Sequence, residues 1–268
     1  MRRFLTFLVI LTALAAGASG AQAATAPDDG FVVYKDLRGR AVTEVRDARG
    51  RFLYQEALRG GRSGETASCL DPRHRFFGPR WREAWPVFLV NGSSIPSYLD
   101  RSAALGDLLA GNGAWQSPFV TDCPFTFGPS AYRASYDGET GLSASLASLT
   151  TDGVNVVEFR SLAGTMCDGA VACTIIDYDR GRVNEADMIF ESDLGRYGYA
   201  DLWSTDDTTW TTSTEGRFAL VDVAAHEFGH FAGLDHVDKS PALTMYPLIH
   251  DGMQTLGLGD MRGLAIRY

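Results

Sequence analysis

The stretch Val223 to Pro247 reads VAAHEFGHFAGLDHVDKSPALTMYP. Within it His226, Glu227, His230, Gly233 and His236 are spaced as H-E-x-x-H-x-x-G-x-x-H. On a helix, His226 and His230 lie one turn apart on the same face. Two imidazoles so placed can reach a single zinc ion at roughly 2.0–2.1 Å. Glu227, one step round the helix, stays off the metal but close to a water bound on it. Gly233 allows a left-handed turn out of the helix, which brings His236 back as the third ligand. Three protein ligands leave a coordination position open, and that separates a catalytic zinc site from a closed structural one. The competing reading is a helix whose histidines merely line its polar face. It does not explain why the glutamate and the helix-breaking glycine fall in the same register.

These residues carry a resemblance. VAAHEFGHFAGLDH is similar, almost letter for letter, to the zinc helix of the matrixins, a branch of the metzincin zinc peptidases, in their compact secreted bacterial form. ALTMYP resembles the Met-turn, with Met245 as the methionine beneath the metal. The final GLGDMRGLAIRY resembles the matrixin C-terminal helix, with Asp260 and Gly263 at matching places. The resemblance is close over roughly the last 50 residues and looser upstream. It implies an α+β fold: a twisted mixed β-sheet, a long helix, the zinc-binding helix, the Met-turn and a C-terminal helix. It also implies a zinc-dependent endopeptidase with one catalytic Zn2+ on His226, His230 and His236. In that enzyme Glu227 takes the proton of a zinc-bound water as it attacks the peptide carbonyl and passes it to the leaving amine.

Other features bear on that implication. The tyrosine that ligates zinc in some metzincins lies two residues after the methionine, whereas Tyr246 follows Met245 directly, so Tyr246 is not expected on the metal. Residues 248–258 are expected to wall the pocket for the residue after the scissile bond, with His250 a loop histidine there. Matrixins bind structural calcium, and sometimes a second zinc, in the region corresponding to Asp177–Asp207, which holds nine acids. The remaining histidines, His74 and His250, are distant in sequence, so a second histidine-ligated zinc is not expected. Structural Ca2+ on carboxylates and carbonyls is one expectation; an ordinary solvated acidic loop is the other. Two alternatives stand beside the peptidase: a secreted zincin-like binding module without hydrolysis, and a peptidase of another metzincin branch. The intact Glu227 argues against the first, and Met-Tyr-Pro favours the matrixin branch.

At the N-terminus, Arg2 and Arg3 precede the apolar run Phe4 to Ala16 and then Ala21-Gln22-Ala23. This is the pattern of a signal peptide over residues 1–23, cleaved after Ala23, and the apolar run is too short to anchor a mature protein. The mature chain is expected to be secreted, free of the membrane and monomeric. Its 245 residues (268 minus 23) suit one large domain with a small appendage. All four cysteines are in the mature part, as an oxidising compartment allows. Cys167 and Cys173 bracket a short loop and are expected to pair, leaving Cys69 for Cys123. The surroundings of Cys69, ETASCLDP, lack the Pro-Arg-Cys-Gly pattern of a zinc-blocking pro-segment thiol.

Charge divides the chain. Residues 31–82 hold twelve Lys/Arg against six Asp/Glu, and residues 83–268 hold ten against twenty-five. An acidic bulk repels phosphate, and no aromatics interleave the basic residues as a nucleic-acid surface requires, so nucleic acid is excluded as a partner. Protein or peptide substrates remain. Residues 24–80 form a basic, β-rich segment with D-x-R-G-R at Asp36–Arg40 and again at Asp47–Arg51, the spacing of a small meander. It reads as a removable pro-segment, an integral brace, or a hairpin of solvated charges. The catalytic domain is expected over residues 81–268. It opens with a strand in WPVFLV, then a helix over Ser97–Gln116, then strands at Val154–Phe159, Ala172–Tyr178 and Ala186–Phe190. The zinc helix is expected from about Phe218 to Ala232. In metzincins an edge strand holds the substrate by backbone hydrogen bonds; residues 197–203 and the ADMIF strand at 186–190 are both candidates.

Overall fold

A computed structural model describes residues 7–12, 34–35, 41–42, 67–116, 118–124, 130–197, 203–206, 218–250 and 252–268. The expected cleavage site at 21–23, most of the basic meander, residues 198–202 and the acids Asp201 and Asp207 lie outside these residues. The strands are β1 (Phe7–Thr12), β2 (Tyr34–Lys35), β3 (Ala41–Val42), β4 (Arg75–Phe76), β5 (Arg80–Trp81), β6 (Val87–Val90) and β7 (Ser135–Glu139). They continue with β8 (Val156–Arg160), β9 (Ala170–Asp179), β10 (Arg182–Glu191), β11 (Trp203–Ser204), β12 (Phe218–Ala219) and β13 (Leu234–Asp235).

The main sheet runs β1-β9-β10-β8-β6-β7, with β5 also paired to β10. Strands β10, β8, β6 and β7 pair in parallel, and β9 turns back antiparallel to β10. A mixed sheet of this kind needs cover on its faces. The α+β class and its helix-flanked sheet match the expectation. The β9–β10 hairpin closes at Arg180-Gly181, both with positive φ (50° and 76°), the backbone that a tight hairpin turn demands. Of the meander, β2 and β3 pair antiparallel, Tyr34 opposite Val42.

One expectation about the sheet is corrected. The ADMIF strand, within β10, has β9 on one side and β8 on the other, so its backbone groups are spent and it cannot be the edge that receives a peptide. Among the described residues, β9 is flanked on its other side by the N-terminal segment β1, laid antiparallel from Phe7 opposite Ile176 to Thr12 opposite Ala170.

The long helix, Arg101–Ala114, crosses over between β6 and β7. Asp100 caps it by accepting the Ala103 N–H at 2.8 Å. Its Gly111 lies against the zinc helix. A Cβ on Gly111 would stand 2.6 Å from Ala224 Cβ and 2.7 Å from Ala225 N. Glycine therefore lets the two helices touch backbone to backbone.

Both expected disulfides form, Cys69–Cys123 and Cys167–Cys173. The first closes a 54-residue separation, for which the chain-entropy model gives about 4 kcal/mol. The stretch 67–81 is tied to the body by more than this bridge. Residues 80–81 join the main sheet, and Trp81 Nε1 donates to Phe231 O at 2.6 Å. The ring of Phe76 lies under the Arg267 guanidinium.

The acids of β10 show why much of the acidic stretch is buried. Glu185, Asp187 and Glu191 recur on one face of the strand and are wholly buried. Asp187 accepts the N–H groups of Leu146 and Val156 at 3.0 and 2.8 Å. Glu185 accepts those of Asp152 and Gly153 and the Ser145 hydroxyl, and Glu191 accepts those of Leu162 and Asp193. These carboxylates staple the loops around 145–162 to the sheet by charge-assisted hydrogen bonds. Among the described residues, the acids form no cluster with metal-ligand spacing, so the calcium expectation gains no support there.

Burial pushes the Asp187 carboxyl from its ordinary 3.8 up to about 7, against the lowering effect of its two N–H donors. The folded state therefore keeps a proton that the unfolded chain loses between about pH 4 and 7, so this group's contribution to stability falls as pH rises through that window and is level above it. Urea midpoints of wild type and Asp187→Asn should show this: the advantage of wild type shrinks from pH 4 to pH 7. A difference independent of pH would mean that Asp187 stays ionised throughout.

Candidate metal centre

The zinc helix spans Leu220–Phe231, and all twelve residues are buried. β9, the long helix, Met245 and the turn at Gln254 pack around it. A helix buried on all sides must satisfy its orphan carbonyls with protein groups. Trp81 Nε1 donates to Phe231 O, Tyr268 Oη to Ala232 O at 3.0 Å, and Gly233 N to His230 O at 2.8 Å. Gly233 has φ +96°, the left-handed exit expected from the spacing. The Arg267 guanidinium lies where a side chain at position 233 would go.

The three histidines converge. His226 Nε2 lies 3.0 Å from His230 Nε2 and 3.1 Å from His236 Nε2, and His230 Nε2 lies 3.1 Å from His236 Nε2. The other ring nitrogens decide what these atoms are. His226 Nδ1 is 2.6 Å from Thr244 O, and His230 Nδ1 is 2.8 Å from Leu234 O. A carbonyl can only accept, so each Nδ1 carries the proton and each neutral ring presents its Nε2 lone pair to the centre. Burial, then the neighbouring imidazoles, hold His226 and His230 well below the usual histidine range. Burial brings His236 down to about 4. Neutral lone pairs this close repel one another unless a cation sits between them. A tetrahedral ion with 2.0–2.1 Å bonds spaces its ligands at about 3.3 Å, so the triad fits zinc with only a slight opening. Among the described residues this is the one His/Cys/Asp/Glu group with metal-ligand spacing.

The loop that returns His236 is braced from outside the motif. β13 pairs antiparallel with β4, Leu234 opposite Phe76. Arg75 Nε lies 3.0 Å from Asp235 Oδ2, while Asp235 Oδ1 accepts the His236 N–H at 2.8 Å. Beyond His236 the chain closes on the Met-turn through Val237 N donating to Met245 O. Asp260, fully buried, accepts the N–H groups of Thr244, Met245 and Gly257 at 3.0–3.3 Å. It thereby holds the turn whose Thr244 carbonyl orients His226. Burial raises its carboxyl to about 6.

Glu227 is buried beside the triad. Thr174 Oγ1 on β9 lies 2.6 Å from its Oε2, and Oε1 is buried with no hydrogen-bond partner among the described residues. Burial raises this carboxyl to about 8, which the Thr174 hydroxyl partly offsets.

The three expected histidine ligands thus come together, with Glu227 buried next to His226 on the same helix. His250 is closer than its sequence position suggests: its Nε2 donates to Leu243 O at 3.0 Å, and its proximity adds to the depression of His226. The sequence reading missed Thr174, Arg75, Thr244 and Gly229. Only Gly229 carried a local signal, a glycine inside a strongly helical pattern. A Cβ there would collide with Met245 and with Trp115, whose Nε1 donates to Ala225 O at 2.7 Å.

Gly229→Ala should therefore lower stability by about 1–3 kcal/mol and weaken metal retention, read as the urea midpoint and as zinc content after dialysis. A variant indistinguishable from wild type in both would contradict the packing described. His236→Ala should lose zinc on dialysis while keeping its fold by circular dichroism.

Residues 187–268 match the family model described as Matrixin. A relative, matrix metalloproteinase-27 of Tupaia belangeri, is 42% identical over 67 residues, which is 22% of this chain and 13% of that protein. The chain thus spans only a small part of that relative. The matched region contains the whole histidine triad, the Met-turn and Asp260, and residues 187–268 are a matrixin-like domain built around a metzincin-type metal centre.

Proposed function

We propose that the protein is a secreted zinc-dependent endopeptidase, exported by residues 1–23 and acting as a monomer on protein or peptide substrates. One observation carries the reading: three Nε2 atoms converge, two of them fixed as lone pairs by protein carbonyls, at a helix whose buried Glu227 carboxyl keeps one oxygen unpartnered among the described residues. A purely structural metal would need no such carboxyl.

Zinc held by the triad would act as a Lewis acid, making water acidic near neutral pH and polarising the scissile carbonyl. The protein's own groups do the rest. Oε1 of Glu227 takes a proton from the attacking water and returns it to the leaving amine. A positive charge in the triad favours the carboxylate, bringing Glu227 down from its metal-free value into the range of a base. The backbone edge of β9, next to the zinc helix, is the substrate rail. Its antiparallel pairing with Phe7–Thr12 is the geometry an extended peptide would adopt once the leader is removed. Any removable part of the basic segment would end before Ala67, because Cys69, Arg75 and Trp81 brace the body.

Glu227→Gln should keep zinc while kcat/KM on a peptide library falls about 10²–10⁴-fold, and a zinc chelator should abolish wild-type hydrolysis. Unchanged hydrolysis by zinc-loaded Glu227→Gln would refute the role of this residue. N-terminal sequencing of the active secreted form should give a start at or before Ala67.

A further inference from the structure

We propose that Thr174 is a positioning residue for Glu227: its hydroxyl pins one carboxylate oxygen so that only the other can act as the base. The inference rests on the peptidase reading above and adds a residue outside the helix motif.

Alternate residues Ala172, Thr174 and Ile176 share one face of β9. Ala172 and Ile176 lie in the apolar core shared with the zinc helix, where Thr174 supplies the one hydroxyl of the three. Thr174 is wholly buried, with Oγ1 2.6 Å from Glu227 Oε2 and 3.2 Å from Glu227 O. A hydroxyl has a single proton to donate, and the short contact to the carboxylate claims it. Oε2 is then occupied and Oε1 is the unpartnered oxygen. A glutamate on a helix has three side-chain torsions, and its last one is broad and weakly defined. Tying Oε2 to a strand removes that freedom and fixes the carboxylate plane before any substrate arrives.

The choice of strand adds a second consequence. β9 is also the proposed substrate rail, so the donor that orients the base and the backbone that would seat the peptide belong to one rigid element. Spacing between base and scissile bond is then set by the strand itself. Misplacement of a reacting group by about 1 Å can cost 10²-fold in rate, which makes such a tie consequential.

The test uses the full zinc-loaded chain. Thr174→Val, which keeps shape but loses the hydroxyl, should retain zinc and a near-normal KM, while kcat falls about 10- to 100-fold. Thr174→Ser should recover most of that loss. Wild-type kcat in Thr174→Val overturns the proposal, as does a loss that serine does not repair, since that would trace to packing. A readout independent of activity is a double-mutant cycle of Thr174→Val and Glu227→Gln on urea midpoints at fixed zinc. The shifts should be non-additive, and simple additivity overturns the contact. If wild type shows no chelator-sensitive hydrolysis, the peptidase reading falls and the catalytic role with it, whereas the cycle still decides the hydrogen bond.

Discussion

Everything at the centre of this protein depends on three imidazole lone pairs held together in a dry site. The Nε2 atoms of His226 and His230 are directed inward because protein carbonyls claim their opposite nitrogens, and His236 arrives on a braced loop. The carbonyls come from different places: Thr244 from the Met-turn, Leu234 from the turn after the helix. Orientation of the ligands is therefore a property of the loops, and the loops are rigid only because other parts of the chain hold them. Asp260 grips the Met-turn by three backbone N–H groups, and β4 with Arg75 grips the segment leading to His236. A metal centre is only as well defined as such supporting contacts.

Burial of the zinc helix on every side has two physical costs, and the fold meets both. Carbonyls at its C-terminal end need donors, which Trp81, Tyr268 and Gly233 supply. Close approach of neighbours needs the absence of side chains, which Gly111 and Gly229 supply. Trp115 uses the space above Gly229 and bonds to Ala225 O, locking the long helix to the ligand helix. Residues far apart in sequence thus converge on one twelve-residue element. This also explains why the stretch 67–81 belongs with the metal centre, although its basic composition set it apart.

The sheet places chemistry by a similar economy. β10 buries three carboxylates that tether loops, so the acidity there is structural. β9 faces the zinc helix with Thr174, and its edge away from β10 pairs with β1. The ADMIF strand looked like an edge candidate because alternation and local resemblance do not reveal what lies on either side of a strand. Only pairing does, and pairing is long-range.

What the sequence determined by itself was the local chemistry. Met245 and Asp260 stand out only through the matrixin resemblance, whereas the helix period puts His226, Glu227 and His230 in register and Gly233 ends the helix. These are properties of neighbours along the chain, so spacing suffices to read them. The disulfide pairs were also within reach, because four cysteines leave few choices. Tertiary structure decided the rest: which tautomers the histidines adopt, which glutamate oxygen is free, why Gly229 and Gly111 must be glycine, and that Thr174 and Arg75 belong to the site. Most of those depend on contacts between segments separated by tens of residues or more, and even the nearby Leu234 carbonyl reaches His230 only through the turn at Gly233. No periodicity encodes such a contact, because it exists only once the sheet, the long helix and the C-terminal helix have closed around the metal ligands.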